Sequence, residues 1–289
     1  VEPADVKRRS LLLTLSAATA FFLYATSCAQ SVPALWLAQS PSAKIYLFGT
    51  VHLLRSGTQW RSPQLNAAIR ESQSLYLEVA NPADVAAAIS SLAATGFDRE
   101  HPLSTKLPKA DTRLLDVVAK SYGLHSEAMF EQMQPWLVAL MLTMKPGVSA
   151  GYSAANGVDL QIRSDFVAAG KPVLGLETFD RQVHVFSDLT QSTQIALLES
   201  ELHATTAQAA GNHFDALINA WQKGDEDQLA TLLQADDLTN TSFYKAMFTD
   251  RNETWANILA ERLKGTGISF VAVGAGHLAG PGGVPALLA

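Results

Sequence analysis

The chain has 289 residues, 48% of them hydrophobic and 17% charged, with a formal net charge of −6. That apolar content supports a large α/β domain and excludes a disordered tail, while Lys and Arg residues scattered without a cluster exclude binding along a nucleic-acid phosphate backbone. The one cysteine, Cys28, falls in the leader, so a mature chain would have no thiol nucleophile, disulfide, iron–sulfur cluster or Cys-ligated zinc.

Lys7, Arg8 and Arg9 precede an apolar run over 11–25 and then Thr26-Ser27-Cys28-Ala29-Gln30, the three parts of a secretory signal. Ser27-Cys28-Ala29 fits cleavage before Gln30; Ala25-Thr26-Ser27-Cys28 is a weak lipobox that would leave an acylated Cys28. Simple cleavage is favoured, because a lipobox usually has leucine where Ala25 stands. The apolar run is short for a membrane span. The expected organisation is a signal peptide over 1–29 and one domain over 30–289. The expected location is secreted or periplasmic, with a lipoprotein anchored through Cys28 as the alternative.

The first element of the mature chain is an apolar run, Lys44-Ile45-Tyr46-Leu47-Phe48, that passes into Gly49-Thr50-Val51-His52. Its composition predicts a buried strand, and the glycine is expected to turn the backbone sharply so that His52 is presented at the strand's carboxyl end. Apolar spacing predicts a helix over 63–74, a strand over 75–79 that carries Glu78 near its end, and an alanine-rich helix over 82–94. Residues 111–144 have helical spacing (Leu114, Leu115, Val118, then Met129, Met133, Leu137, Leu140, Met141), broken near Gly123 and bent near Pro135. This predicts a helical insertion.

A helix over 153–169, stopped at Gly170, leads into the strand Val173-Leu174-Gly175-Leu176 with Glu177 at its end. From 181 to 264 the pattern is almost wholly helical, with a polar break at Gly224-Asp225 and a capping signal at Asp250. The last helix feeds Phe270-Val271-Ala272-Val273, which runs into Gly274-Ala275-Gly276-His277. The expected fold is therefore α/β (α+β in the broad sense): a central β-sheet with a His/Glu site at its strand ends and a large helical insertion. Its two halves are loosely mirrored, histidine strand then glutamate strand in the first, and the reverse in the second.

Ligands bind at the carboxyl ends of strands in open α/β sheets, so His52, Glu78, Glu177 and His277 are expected to converge. Two imidazoles with one or two carboxylates suit zinc, manganese, cobalt or iron. A carboxylate at a buried strand end is costly unless paired or metal-bound, which marks Glu78. Glu177 has three readings: a second ligand, a general acid, or an acceptor for Arg251. Arg251 in turn reads as a clamp on Glu78 or Glu177, or as a donor to an oxyanion. Asp159 either orients a ligand histidine or caps its helix. Gly280-Pro281-Gly282-Gly283 reads as a tight turn beside the site, and His101, His125, His184, His203 and His213 as solvent-exposed residues that fit no single face.

Together these pieces resemble the TraB/GumN family, which includes Tiki-type metalloproteases and PrgY-like pheromone shutdown proteins. The resemblance rests on Gly49-Thr50-Val51-His52, Glu78, Gly157-Val158-Asp159, Gly170-Lys171-Pro172-Val173, Gly175-Leu176-Glu177-Thr178, Trp221-Gln222-Lys223-Gly224-Asp225, Arg251-Asn252 and Val273-Gly274-Ala275-Gly276-His277. It implies a divalent-metal-dependent hydrolase, most naturally a peptidase acting on a peptide or protein, with His52, His277 and Glu78 on a manganese, cobalt or zinc ion that keeps one position open for water. Glu78 or Glu177 would carry the proton and Arg251 would steady the anionic intermediate. The alternative from a different class is a non-catalytic periplasmic protein that binds metal, haem or peptide. Membrane contact is expected only through the signal segment or a lipid on Cys28.

Overall fold

The computed structural model describes residues 32–81, 85–121, 127–203, 207–234 and 242–289. The expected leader, His125, the break near Gly123 and the start of the helix expected from Pro82 lie outside the described residues. In chain order the first half runs β1 (Leu35–Gln39), β2 (Ala43–Thr50), α1 (Pro63–Glu71), β3 (Ser74–Val79), α2 (Val85–Thr95), α3 (Leu103–Lys106), α4 (Lys109–Ser121), α5 (Glu127–Phe130), α6 (Pro135–Ser149) and α7 (Val158–Ala168). The second runs β4 (Val173–Glu177), α8 (Phe179–Ser187), α9 (Gln191–His203), α10 (Ala207–Lys223), α11 (Glu226–Gln234), α12 (Ser242–Tyr244), α13 (Asp250–Leu263), β5 (Gly267–Gly274) and α14 (Val284–Leu288).

The sheet has the order β1-β2-β5-β3-β4, with β2, β5, β3 and β4 parallel and β1 antiparallel at the edge. The two histidine strands are thus neighbours, and so are the two glutamate strands. β1 is the strand absent from the sequence expectation, as α3 and α14 are among the helices. It is a short strand joined to β2 across Ser40-Pro41-Ser42, with Ser40 N–H donating to the Ala43 carbonyl at 2.9 Å. Pro135 also differs from expectation: it opens α6 and does not bend a longer helix. Proline lacks the N–H that a first helical residue has no use for, so this placement is the unstrained one.

Parallel strands are buried on both faces, and alternate residues here feed two cores. Phe48, Leu75, Leu77 and Phe270 pack with Leu65, Ile162, Phe166 and Trp221 on one side. On the other, Ile45, Leu47, Val271 and Val273 pack with Trp255 and Leu259 of α13 and with Val284 and Leu288 of α14. Each such large apolar side chain contributes roughly 1.5–3 kcal/mol by leaving water, so the strand ends stand on a sheet buried on both faces. A third core is wholly helical, formed around Leu103, Leu115, Phe130, Trp136, Val138 and Leu198. Among the described residues no helix is long and apolar enough to cross a membrane.

Candidate functional site

Register brings the two Gly-x-x-His motifs to within one residue of each other, with Gly49 opposite Val273 and Thr50 opposite Gly274. The glycines serve close approach and not a left-handed turn. Gly274 has φ −49, and Gly49 is not among the positive-φ glycines. A Cβ on Gly49 would stand 2.9 Å from Ala275 Cα, and one on Gly274 would stand 3.1 Å from Glu78 Oε1. Both loops are therefore pressed together over the end of β3. The first is also pinned from behind, where the Trp221 indole N–H donates to the Gly49 carbonyl at 2.8 Å.

His277 is 4% exposed, with its ring centroid 4.5 Å from that of Trp255 and 5.1 Å from that of Phe248. Its Nδ1 lies 2.6 Å from Asn252 Oδ1, and Asn252 Nδ2 donates to the Gly282 carbonyl at 2.9 Å. That second bond fixes the Asn252 amide with its oxygen towards the imidazole, so His277 Nδ1 is the protonated nitrogen. Nε2 is left as an acceptor, and it receives Arg251 Nη1–H at 3.0 Å. Burial pushes this imidazole down to about 3 against the opposing field of Glu78, with Arg251 adding to the fall. His277 is accordingly a neutral side chain.

Arg251, 3% exposed, is the centre of the polar cluster. Nε donates to Glu177 Oε2 at 3.1 Å, Nη2 to Glu177 Oε1 at 2.6 Å and to Glu78 Oε2 at 2.7 Å, and Nη1 to the Met247 carbonyl at 3.0 Å as well as to His277. All five of its N–H donors are engaged. The Met247 carbonyl comes from a π-helical turn over Lys245–Thr249 just ahead of α13, a local irregularity of the sort that collects at functional sites. Glu78 also accepts the Gly274 N–H at 2.7 Å and Gln182 Nε2–H at 2.8 Å. Burial works against its charge, but the His277 and His52 imidazoles, Arg251 and the Gly274 N–H outweigh it and hold the carboxyl at about 2. Glu177 goes the other way, raised by burial in spite of its bidentate pair with Arg251.

His52 has a different setting. Its side chain is 58% exposed, and its Nδ1 stands 3.4 Å from Asp159 Oδ1. That oxygen is buried and has no hydrogen-bonded partner among the described residues. An orphaned carboxylate oxygen favours a protonated ring beside it. Protein packed around the inner edge of the imidazole opposes the charge, yet Asp159 and the field of Glu78 together raise the pKa to about 9. His52, Glu78, Gln182 and Arg251 form the polar end of a cavity of about 290 Å³ whose remaining walls are apolar.

The four residues expected to converge, His52, Glu78, Glu177 and His277, stand around Arg251 at the carboxyl end of the sheet, but the donor atoms are committed. His277 Nε2 and both oxygens of Glu78 and of Glu177 accept hydrogen bonds, and among the described residues no group of three His, Cys, Asp or Glu side chains is set to hold a metal. For His52, Glu78 and His277 to share a divalent ion, Arg251 would have to release both His277 and Glu78. As arranged, the residues do not fit a metal, and the cation at this position is the guanidinium. Of the readings open to Arg251, the carboxylate clamp is the one formed; a donor to an oxyanion would need an N–H it does not have to spare. Asp159 faces His52. Gly280 and Gly283 close a turn (N···O 3.1 Å) whose Gly282 carbonyl supports Asn252, so the glycine-rich segment is the tight turn expected. His101 and His203 are exposed at the surface, each beside an aspartate, whereas His184 and His213 are half-buried, against the expectation of exposure.

Two contributors were not assigned from sequence. Asn252 was noted only as the neighbour of Arg251, and Gln182 was missed altogether. The usable signal for Gln182 is position: it lies in the helix that begins directly after Glu177, with Thr178 capping the Arg181 N–H at 3.1 Å, so its first turns start at the carboxyl end of β4.

A family model described as "TraB/PrgY/gumN family" matches residues 34–289. Two relatives are each called "Uncharacterized protein YbaP", from Escherichia coli (strain K12) and Shigella flexneri; each is 23% identical over 258 residues, covering 89% of this chain and 92% of the relative. No solved structure matches.

Proposed function

The chain belongs to the TraB/PrgY/gumN family, and from the site described above we propose that it is a hydrolase of peptide or other amide bonds in which His52 handles the proton. The observation that carries this reading is the His52–Asp159 pair, an open imidazole backed by a buried carboxylate at the mouth of a cavity. A neutral His52 Nε2 would take a proton from the water that attacks the carbonyl carbon. Asp159 then stabilises the imidazolium, which gives the proton to the leaving amine. Arg251 acts through the carboxylates: by offsetting part of the charge of Glu78 and Glu177 it reduces their opposition to an anionic intermediate. No step runs through a metal.

The test is turnover of a peptide library by the purified protein and by His52→Gln, before and after exhaustive chelation. Turnover that survives chelation and is lost in His52→Gln supports the reading. Turnover lost on chelation and restored by manganese, cobalt or zinc would instead establish the metal-dependent form, with Arg251 displaced. The rival reading, a non-catalytic binding protein, draws support from the mostly apolar cavity walls. It is upheld by stoichiometric peptide binding without product. We place the protein in the periplasm or outside the cell on its first 29 residues. Mass spectrometry of exported protein that finds Gln30 at the amino terminus supports this, and a lipid on Cys28 supports anchoring.

A further inference from the structure

The cavity beside His52 has two walls, and they come from different parts of the chain. The polar end stands on the sheet and α13, with His52, Glu78 and Arg251, and takes Gln182 from α8. The apolar wall comes mainly from α2, α6 and α8, with Leu92, Trp136, Leu137, Leu140, Val183 and Phe186. This wall is preformed. Trp136 is 1% exposed and Val183 4%, and the Trp136 ring stacks on Phe186 at 5.9 Å between centroids and 21° between planes. None of the side chains forming the apolar wall is charged. The volume, about 290 Å³, lies just below the usual range of small-molecule pockets, so the space suits one large side chain and the backbone beside it.

We propose that this wall is the specificity element of the site: it receives one apolar side chain of leucine or phenylalanine size from a peptide, and so sets the adjoining carbonyl against His52. The inference rests on the hydrolase reading for the carbonyl's fate, but the selection of side chain does not need turnover. A charged side chain in this position would leave water without a partner on the apolar wall, and that penalty is what discriminates. An alanine would fit and gain little, since most of the apolar surface would stay uncovered.

The experiment is calorimetric titration of the full chain with a set of N-acetyl-Gly-X-Gly amides in which X is Leu, Phe, Ala, Asp or Lys, alongside a separate assay for product. The Leu and Phe peptides should bind at least about tenfold more tightly than the Asp and Lys peptides, with Ala between. Leu140 is only partly buried, so Leu140→Lys is a tolerable change; it should weaken the Leu peptide by about tenfold or more and improve the Asp peptide. Equal affinity across the set, absence of binding by every peptide, or a Leu140→Lys protein with unchanged preference overturns the proposal. Selective binding without product leaves it standing and defeats the hydrolase reading. Turnover without selectivity does the reverse.

Discussion

The two histidines share a motif, follow adjacent parallel strands one residue out of register, and differ in almost every other respect. His52 is largely open, stands beside a buried carboxylate and has its pKa raised to about 9. His277 is 4% exposed, wedged between Trp255 and Phe248, fixed at both nitrogens and lowered to about 3. Neighbours, and not the motif, decide which imidazole can exchange protons with a ligand. The first loop faces Asp159 and the cavity; the second lies against α13, which supplies Asn252 and Arg251. On the proposed reading one Gly-x-x-His works on the ligand, while the other holds the arginine that organises the carboxylates.

The largest effect expected is from Arg251, where the two halves of the comparison meet. Arg251→Met removes the partner of two carboxylates that are 11% and 6% exposed, and stranding buried charge in this way costs about 3–5 kcal/mol. Denaturant unfolding should show that loss, and turnover should fall with it even where the variant is still folded. If stability is unchanged, the cluster is not held by its arginine. His52→Gln should separate function from folding when measured above pH 9, where the ring is neutral in both states: turnover lower by roughly 10²- to 10⁴-fold with an unfolding midpoint close to that of the parent, because the side chain is mostly in solvent. A large loss of stability here would erase the distinction between the two loops.

What was legible in the sequence follows the same division. Strand ends, the two histidines, Glu78, Glu177 and Arg251 could be placed because each stands at a fixed offset from an apolar run or a helix start, and backbone geometry then carries them to one edge of the sheet. The choice between metal and guanidinium as the central cation was not legible. It depends on which lone pairs Arg251 takes, and that follows from contacts with Glu78, Glu177 and His277 on distant segments and from the π-helical turn before α13, which has no sequence period. Gln182 was hidden for a related reason: one polar residue on a helix gives no periodic signal. β1 was missed because Leu35-Trp36-Leu37-Ala38-Gln39 has neither a β-branched residue nor polar–apolar alternation, whereas β4, an edge strand of the same length, is marked by the helix stop at Gly170 before it. The roles of the motif glycines were misread because close approach between loops far apart in sequence is invisible in either loop alone.

A smaller effect is expected at His277, and it has a pH window. The imidazole is held neutral in the folded chain down to about 3, whereas in the unfolded chain it takes a proton near 6.5, so proton uptake favours unfolding as pH falls from 6.5 towards 3. Glu78, lowered from 4.5 to about 2, adds loss of the same sign only below 4.5. Between pH 6.5 and 4.5 the parent protein should therefore lose stability more steeply than His277→Gln, which has no proton to gain. Parallel stability curves for the two over that interval would show that His277 is not buried as a neutral ring.

The finest test of the comparison is Asp159→Asn, since it alters one charge beside one histidine and leaves the other untouched. In the parent, turnover at limiting substrate should rise with pH as His52 loses its proton, with the limb near 9. Replacing the carboxylate by an amide removes the first of the influences that raise this pKa, while Glu78 remains. The limb should move down towards the ordinary histidine value, and the plateau should also drop because the imidazolium formed during attack has lost its counter-charge. His277 is fixed through Asn252 and Arg251 on the other side of the sheet end, so the acid stability window between pH 6.5 and 4.5 should be the same in Asp159→Asn as in the parent. A limb that stays near 9 in the variant would show that Asp159 does not set the protonation of His52, and the proton-handling role assigned to this pair would fall.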